Sequence, residues 1–166
     1  AARRQHYAAR QEPETKLSVV FCNTKKMVDE LSEYLTSAGY QAVGIHGDMR
    51  QSARTQVMAS FKSHRTRILI ATDVAARGID VENVDAVFNY DVPDENEYYI
   101  HRIGRTGRAR KKGISFTLLG SFPEKAKLDE IAKFAGFHIV PMIFDEYGCL
   151  VPAPAEEKHP TSRRRF

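Results

Sequence analysis

Cysteine is scarce in this sequence, which has only Cys22 and Cys149 among its 166 residues. The two residues lie far apart and form no Cys-x-x-Cys motif, which argues against a disulfide framework and against a zinc site. No apolar run approaches the roughly 20 residues that cross a membrane, and the N-terminus lacks the apolar segment of a signal peptide. These absences predict a protein of a reducing compartment, with the cytoplasm as the default, and no membrane partner.

The sequence also lacks any Gly-Lys-Ser or Gly-Lys-Thr string. It therefore has no phosphate-binding loop of the kind that places a lysine on a nucleotide. The formal net charge is only +4, which is compatible with a nucleic-acid partner but does not establish one. The length fits one domain with a real core.

Strand and helix patterns alternate along most of the chain. Leu17–Cys22 is a continuous apolar run, which suits a strand buried on both faces. The predicted strands are Leu17–Cys22, Tyr40–Ile45, Arg67–Ala71, Val84–Tyr90, Ile114–Leu119 and a last edge strand, His138–Met142. The predicted helices run from an Asn23 or Thr24 cap to Gly39, over Gln51–Lys62, over Glu95–Ile103, and from a Ser121 cap to about Ala135.

This alternation predicts βαβ crossovers and a three-layer α/β/α fold around a central, mostly parallel sheet. In such sheets the functional residues lie at the carboxyl ends of the strands. Asn23-Thr24, His46-Gly47-Asp48 and Thr72-Asp73 each follow a predicted strand. We therefore expect one active surface at that edge of the sheet.

Three divisions of the chain follow from composition. Ala1–Lys16 is polar and basic and is predicted to be a helix or linker remnant. Leu17–Met142 is predicted to be the globular domain. Ile143–Phe166 is predicted to contain a hairpin around Tyr147-Gly148, an extended linker and a basic tail.

The stretch His101–Arg110 carries the densest charge, with four arginines, one histidine and two glycines in ten residues. Gly104 and Gly107 would let the backbone leave helical geometry, and Arg105 and Arg108 could then aim at one target. Guanidinium groups fork onto phosphate oxygens, so this pattern suits a polyphosphate. A solvated basic turn is the alternative.

The stretch Ala71–Val81 is the second candidate. Thr72 and the amides of the following turn could hold a phosphate, Gly78 allows a close approach, and Asp80 could accept a hydrogen bond from a sugar hydroxyl. A strand-to-helix turn with an aspartate cap remains equally open. In the third candidate, Gln51–Arg54, the arginine could meet a nucleic-acid phosphate or could be an ordinary solvated helix residue.

These strings resemble the motifs of DEAD-box RNA helicases. His101–Arg108 resembles their sixth motif, H-R-x-G-R-x-x-R, and Ala71–Asp80 resembles their fifth. Val19–Lys25 resembles the fourth, and Gln51 with Arg54 resembles the short Q-x-x-R motif. Order and spacing resemble the carboxyl-terminal RecA-like domain over roughly Leu17 to Ile139.

The resemblance implies roles for individual residues. Arg105 and Arg108 would be arginine fingers that reach ATP, and Gly78 and Asp80 would also lie at the nucleotide. His101 and Arg102 would couple the ATP site to the RNA groove across the domain interface, without binding a metal. The residues implied to grip the RNA backbone, without reading its sequence, are His46, Gly47, Gln51, Arg54, Thr72, Arg77 and Gly78.

The resemblance further implies that the chain is half of a site. Because no phosphate-binding loop and no Asp-Glu-Ala-Asp string occur, the pocket for ATP and the Mg²⁺ ligands would lie on a preceding N-terminal RecA-like domain. The chain alone is expected to be inactive, whereas the full-length protein would be an RNA-stimulated ATPase that unwinds duplexes or remodels RNA–protein complexes. A non-enzymatic RNA-binding or regulatory module and half of a DNA helicase are the alternatives.

Overall fold

The computed structural model describes residues 16–77, 81, 84–107 and 113–154. The chain divides into two compact units, Ala1–Ala135 and Gly136–Phe166. The predicted sites at Gly78, Asp80 and Arg108 lie outside the described residues, as do most of the predicted N-terminal remnant and the basic tail.

The first unit contains five strands and five helices among its described residues. The strands are β1 (Ser18–Phe21), β2 (Ala42–Ile45), β3 (Ile68–Ala71), β4 (Ala86–Asn89) and β5 (Ile114–Thr117). The helices are α1 (Lys25–Ser37), α2 (Gln51–Lys62), α3 (Asp73–Arg77), α4 (Asn96–Ile103) and α5 (Phe122–Ala135). The five strands form one parallel sheet in the order β2-β3-β1-β4-β5, which confirms the predicted fold class.

Strand β1 lies at the centre of the sheet and is buried on both faces. Val19 and Phe21 belong to a core cluster that includes the apolar side of α2. Val20 belongs to a second cluster, on the opposite face, that includes Val28 of α1. Because side chains alternate along a strand, the two clusters mark the two helical layers of the sandwich. The apolar run predicted to be a doubly buried strand is therefore confirmed.

Local capping explains where two helices begin. The Thr24 hydroxyl accepts a hydrogen bond from the Met27 N–H at 3.2 Å at the start of α1. At the start of α5, the Ser121 hydroxyl accepts from the Glu124 N–H at 3.4 Å, and the Glu124 carboxylate accepts from the Gly120 N–H at 2.8 Å. Both predicted caps are confirmed, and at the second the Glu124 carboxylate also satisfies the N–H of the residue that precedes the cap.

The second unit contains a two-stranded antiparallel hairpin among its described residues. It consists of β6 (Met142–Phe144) and β7 (Leu150–Pro152), and Gly148 in the turn has φ +74°. The predicted hairpin is therefore confirmed. The predicted edge strand His138–Met142 is wrong, because residues 138–141 form no strand and Met142 instead begins β6. Pro141 cannot donate a backbone hydrogen bond, which disfavours a strand through that position.

The register of the strands determines which residues meet at the carboxyl edge of the sheet. Phe21 of β1 lies level with Ala71 of β3 and Asn89 of β4, and Ile45 of β2 also lies level with Ala71. The residues that follow these strands therefore meet at one edge of the sheet, which confirms the predicted common edge.

Candidate functional site

The carboxyl ends of β1 and β4 are joined by polar contacts. The Asn23 N–H donates to the Asp91 carboxylate at 2.9 Å, and the Asn23 side-chain amide donates to the Val92 carbonyl at 2.9 Å. Both strands end at the same level, so a short polar residue after each one is enough to bridge them. This bridge is the floor of the site.

Arg102, in the last turn of α4, lies on that floor and is only 1% exposed. Its Nε and Nη2 donate to the two carboxylate oxygens of Asp73 at 2.8 and 2.6 Å. Nη1 donates to the Asp91 carbonyl at 2.8 Å, and Nη2 also donates to the Asn23 side-chain oxygen at 2.7 Å. The guanidinium lies 5.4 Å from the centre of the Phe21 ring.

A buried charge is tolerated only when it is paired and hydrogen-bonded, and Arg102 meets that condition through groups of this domain. Its donors therefore fix α4 against α3 and against the ends of β1 and β4. The predicted role of Arg102 in coupling ATP to RNA stays a prediction.

The chain after α4 is anchored to the segment before β4. The Thr106 hydroxyl donates to the Val84 carbonyl at 2.5 Å, and the Val84 N–H donates to the Arg105 carbonyl at 3.3 Å. A parallel β-bridge joins Val84 and Thr106. These contacts hold the backbone of Arg105 in place, and its half-buried side chain lies with Nη1 3.5 Å from the Val81 carbonyl.

The two glycines of this stretch differ. Gly104 is the C-cap at which α4 ends, and its φ of −66° and ψ of 0° are values that any residue adopts. Gly107 has φ +71°, which glycine adopts without strain. The chain therefore turns at Gly107, immediately before Arg108.

A concave surface lies beside this turn, and we call it the arginine surface. Its lining residues come from β1, α3, α4 and the loop after α4: Phe21, Asp73, Ala76, Arg77, Tyr98, His101, Arg102 and Arg105. Arg77 and His101 are exposed, whereas Arg102 is buried. The surface can therefore offer cationic groups to an anionic ligand.

Arg54 and Thr72 meet at the first turn of α3. The Thr72 hydroxyl accepts from the Ala75 N–H at 3.4 Å, and Arg54 Nη2 lies 3.5 Å from the Ala75 carbonyl. Arg54 is half-buried, and its Nε is buried without a partner among the described residues. Arg54 is therefore not an ordinary solvated helix residue, and the alternative given for it is wrong.

The other residues predicted to grip RNA are placed differently. Gln51, the first residue of α2, and Gly47 are exposed. His46 is half-buried, and its Nε2 lies 3.0 Å from a carboxylate oxygen of Asp29 on α1. Because α1 and α2 cover opposite faces of the sheet, the structure does not bring the His46 ring beside Arg54. Their roles in RNA binding stay predictions.

The sequence pattern does not predict three roles that the structure shows. Asp73 is the ion-pair partner of Arg102, and Asn23 and Asp91 bridge the ends of β1 and β4. The available signal was that each polar residue directly follows or closely follows a buried strand. The sequence pattern also predicts only a strand-to-helix turn where α3 forms. Its start is stabilised by the Thr72 cap and by the position of Asp73 in the first turn.

Cys22 is buried beneath this floor. Burial, with a smaller contribution from the Asp91 carboxylate, raises the pKa of its thiol to about 12 against the opposing effect of Arg102. The thiol is therefore protonated at neutral pH and is a poor nucleophile and a poor metal ligand. Among the described residues, no group of three or more His, Cys, Asp or Glu side chains could hold a metal ion.

Residues 4–110 match the family described as the helicase conserved C-terminal domain. The chain belongs to this family. It is 50% identical over 124 residues to the ATP-dependent RNA helicase FAL1 of Saccharomyces cerevisiae, a match that covers 75% of this chain and 31% of that protein. It is 47% identical over 132 residues to the ATP-dependent RNA helicase CshA of Limosilactobacillus reuteri, covering 80% of this chain and 26% of that protein.

Solved structures of DEAD-box proteins share the fold of this helicase C-terminal domain. The E. coli DEAD-box protein SrmB, bound to regulator of ribonuclease activity A, matches with a TM-score of 0.76 and 35% identity over 93% of this chain and 89% of that chain. The C-terminal domain of the DEAD-box protein Dbp5 matches with a TM-score of 0.69 and 33% identity over 81% and 77%. The chain is therefore a DEAD-box C-terminal domain with a RecA-like fold, and it spans about a third or less of the curated relatives named above.

Proposed function

We propose that this chain is the C-terminal half of an ATP-dependent RNA helicase with RNA-stimulated ATPase activity. Its partner would be the N-terminal RecA-like domain of the same protein. We use the term two-domain protein for the polypeptide that contains both domains. The names of its relatives support this proposal, as does the surface that Arg77 of the stretch Ala71–Val81 shares with His101, Arg102 and Arg105 of the stretch His101–Arg110. A reducing compartment such as the cytoplasm is part of the proposal.

ATP is proposed to contact the arginine surface through its phosphates. Guanidinium groups are suited to phosphate oxygens, and Arg105 and Arg77 lie on this surface. The carboxylate of Asp73, on the same surface, already accepts two hydrogen bonds from Arg102, so it is a poor candidate for a Mg²⁺ ligand. We therefore propose that Mg²⁺ and the nucleotide pocket lie on the N-terminal domain. The metal would neutralise charge on the triphosphate.

Arg105, together with Arg108, is proposed to act as an arginine finger. Charge spreads over the transferred phosphoryl oxygens in the transition state, and a fixed guanidinium at that position stabilises it. The backbone bonds between Arg105, Thr106 and Val84 support this role, because a finger must be held in place before the reaction. Gly78 and Asp80 are proposed to contact the nucleotide as well.

RNA is proposed to bind at the first turn of α3 and at the start of α2. Arg54 supplies a cation there, Gln51 supplies an exposed polar group and Gly47 an open backbone, whereas Thr72 is only 7% exposed and its hydroxyl caps α3. Contacts of this kind hold the sugar-phosphate backbone and do not distinguish sequences. His46 and His101 remain candidates for RNA contact and for coupling across the domain interface.

The observation that carries the proposal is the anchored position of Arg105 beside the buried Arg102–Asp73 pair. Its test is Arg105→Ala in the two-domain protein, measured by RNA-stimulated ATP hydrolysis and by ATP binding. We expect kcat to fall by about a thousandfold or more while ATP binding largely persists, because a finger acts chiefly on the transition state. Arg67→Ala is the matched control, since Arg67 is exposed and precedes β3 at the opposite edge of the sheet. Equal losses of binding and turnover would count against the finger role.

A further inference from the structure

Helix α4 contacts α3 at two points with the same spacing. Arg102 pairs with Asp73, which begins α3, and the guanidinium of Arg77, which ends α3, lies 4.4 Å from the centre of the Tyr98 ring. Tyr98 and Arg102 are four residues apart on α4, as Asp73 and Arg77 are on α3. Residues at this spacing share one face of a helix, so the two contacts hold both ends of α3 against α4.

The two contacts differ in exposure. Arg102 is buried, and its donors are taken by groups of the domain, whereas Arg77 is exposed. Both oxygens of Asp73 accept from Arg102, and no carboxylate pairs with Arg77 within residues 16–77, 81, 84–107 and 113–154. A cation–π contact depends on the charge of the guanidinium and does not require its N–H donors, so Arg77 can still donate hydrogen bonds to an anion.

Arg77 also lies on the same side of the site as the proposed finger. Arg77, Tyr98, His101 and Arg105 all line the arginine surface. Arg54 and Thr72 instead bind the backbone of Ala75, in the first half of α3. Arg77 therefore shares a surface with Arg105, and Arg54 and Thr72 are not among the residues that line that surface.

We infer that Tyr98 is a positioning residue that holds the Arg77 guanidinium towards the phosphates of the nucleotide that Arg105 meets. This inference rests on the proposed function, and it gives Arg77 a nucleotide contact in place of the RNA contact implied by the sequence. Tyr98 itself touches no ligand. Its ring restricts where the Arg77 side chain can point, which lowers the entropy lost when the guanidinium meets the developing charge.

The test is made in the two-domain protein with two substitutions at one position. Tyr98→Leu removes the ring and is expected to lower kcat for ATP hydrolysis by about two- to fivefold. This factor is the free energy of an exposed cation–π contact expressed as a change in rate. KM for ATP and the affinity for single-stranded RNA should change little. Tyr98→Phe keeps the ring and should restore the rate. Tyr34→Leu, at an exposed tyrosine of α1, is the matched control.

A double-mutant cycle separates this role from a purely structural one. Arg77→Met alone should lower kcat, and adding Tyr98→Leu to it should lower kcat no further, because the ring acts only through Arg77. Additive losses would overturn the inference. So would a Tyr98→Phe variant as slow as Tyr98→Leu, a lowered melting temperature with unchanged kcat, or a loss of RNA affinity with unchanged kcat.

Arg105→Ala in the same assay separates a failure of the inference about Tyr98 from a failure of the proposed function. If Arg105→Ala is inactive and Tyr98→Leu hydrolyses ATP like the parent protein, the inference about Tyr98 fails and the proposed function stands. If Arg105→Ala hydrolyses ATP normally, the proposed function fails, and with it the nucleotide contact inferred for Arg77.

Discussion

Arg102 and Asp73 are joined by two parallel hydrogen bonds of 2.8 and 2.6 Å, although 29 residues separate them in the sequence. The Arg102 side chain is 0% exposed and that of Asp73 is 16% exposed. The pair links the candidate stretch Ala71–Val81 to the arginine-rich stretch His101–Arg110 inside a single domain. It gives α3 and the loop after α4 a fixed relative position before any ligand binds.

Removal of one member of this pair should destabilise the fold. Arg102→Met leaves the Asp73 carboxylate without its cation, and we expect the free energy of unfolding to fall by about 3–5 kcal/mol, as for other broken buried pairs. Urea denaturation followed by circular dichroism measures this change. Adding Asp73→Leu should recover part of the loss, because no unpaired charge then remains.

The control for that experiment is the exposed pair between Lys25 and Asp48, whose side chains are 53% and 67% exposed. Lys25→Met should change stability little, because solvent screens an exposed ion pair. If Arg102→Met has as small an effect as Lys25→Met, the buried pair does not hold the site together.

Stability should fall in alkaline solution because of Cys22. Burial raises the pKa of its thiol from 9.0 to about 12. Above pH 9 the unfolded chain loses this proton while the folded chain keeps it, so the free energy of unfolding falls as pH rises from about 9 to 12. Below pH 9 this contribution to stability is fully present.

The measurement is the melting temperature between pH 8 and pH 11, recorded by circular dichroism. Cys22→Ala should flatten the alkaline decline, although Tyr99, whose pKa is also raised by burial, still contributes. Cys149→Ala serves as the control for loss of a thiol. A decline that is identical in the parent protein and in Cys22→Ala contradicts the burial argument.

The isolated chain is expected not to hydrolyse ATP. It contains no Gly-Lys-Ser or Gly-Lys-Thr string, so no lysine is placed on the phosphates by such a loop. The measurement is phosphate release by the purified chain with and without single-stranded RNA. RNA-stimulated release that disappears in an Arg105→Ala preparation of the same purity would defeat this prediction.

The isolated chain is expected to bind single-stranded RNA weakly and without sequence preference. If Arg54 contacts one phosphate, Arg54→Ala should weaken all sequences alike and reduce the slope of log K against log salt by about 0.7. Fluorescence anisotropy over a salt series measures both quantities. Arg67→Ala, which removes an equal charge at the opposite edge of the sheet, should reduce the slope less.

The basic tail could bind RNA without the proposed site at Arg54, and a deletion of Glu156–Phe166 tests this possibility. If RNA binds at Arg54, the shortened chain should still bind RNA and still respond to Arg54→Ala. If the deletion abolishes all binding and Arg54→Ala changes nothing in the longer chain, the tail is the RNA contact.

Much of the fold follows from local sequence pattern. The apolar run around Val19 and Val20 is long and β-branched enough to predict a doubly buried strand. Asn23 or Thr24, and further along Ser121, predict helix starts, because a side-chain oxygen can satisfy backbone N–H groups only a few residues away. The predicted edge strand at His138–Met142 is wrong, because residues 138–141 form no strand and Met142 pairs instead with Pro152 in the hairpin.

The geometry of the site was decided by the tertiary structure. Because β1 lies between β3 and β4, Asn23, Asp73 and Asp91 come within reach of one guanidinium, and no local spacing encodes that strand order. The sequence determined which side chains follow the strands, since burial and capping are local. The packing of α4 on α3 decided that Arg102 is buried while Arg77 lies exposed over the Tyr98 ring, because the shape of that contact depends on residues far apart in the chain.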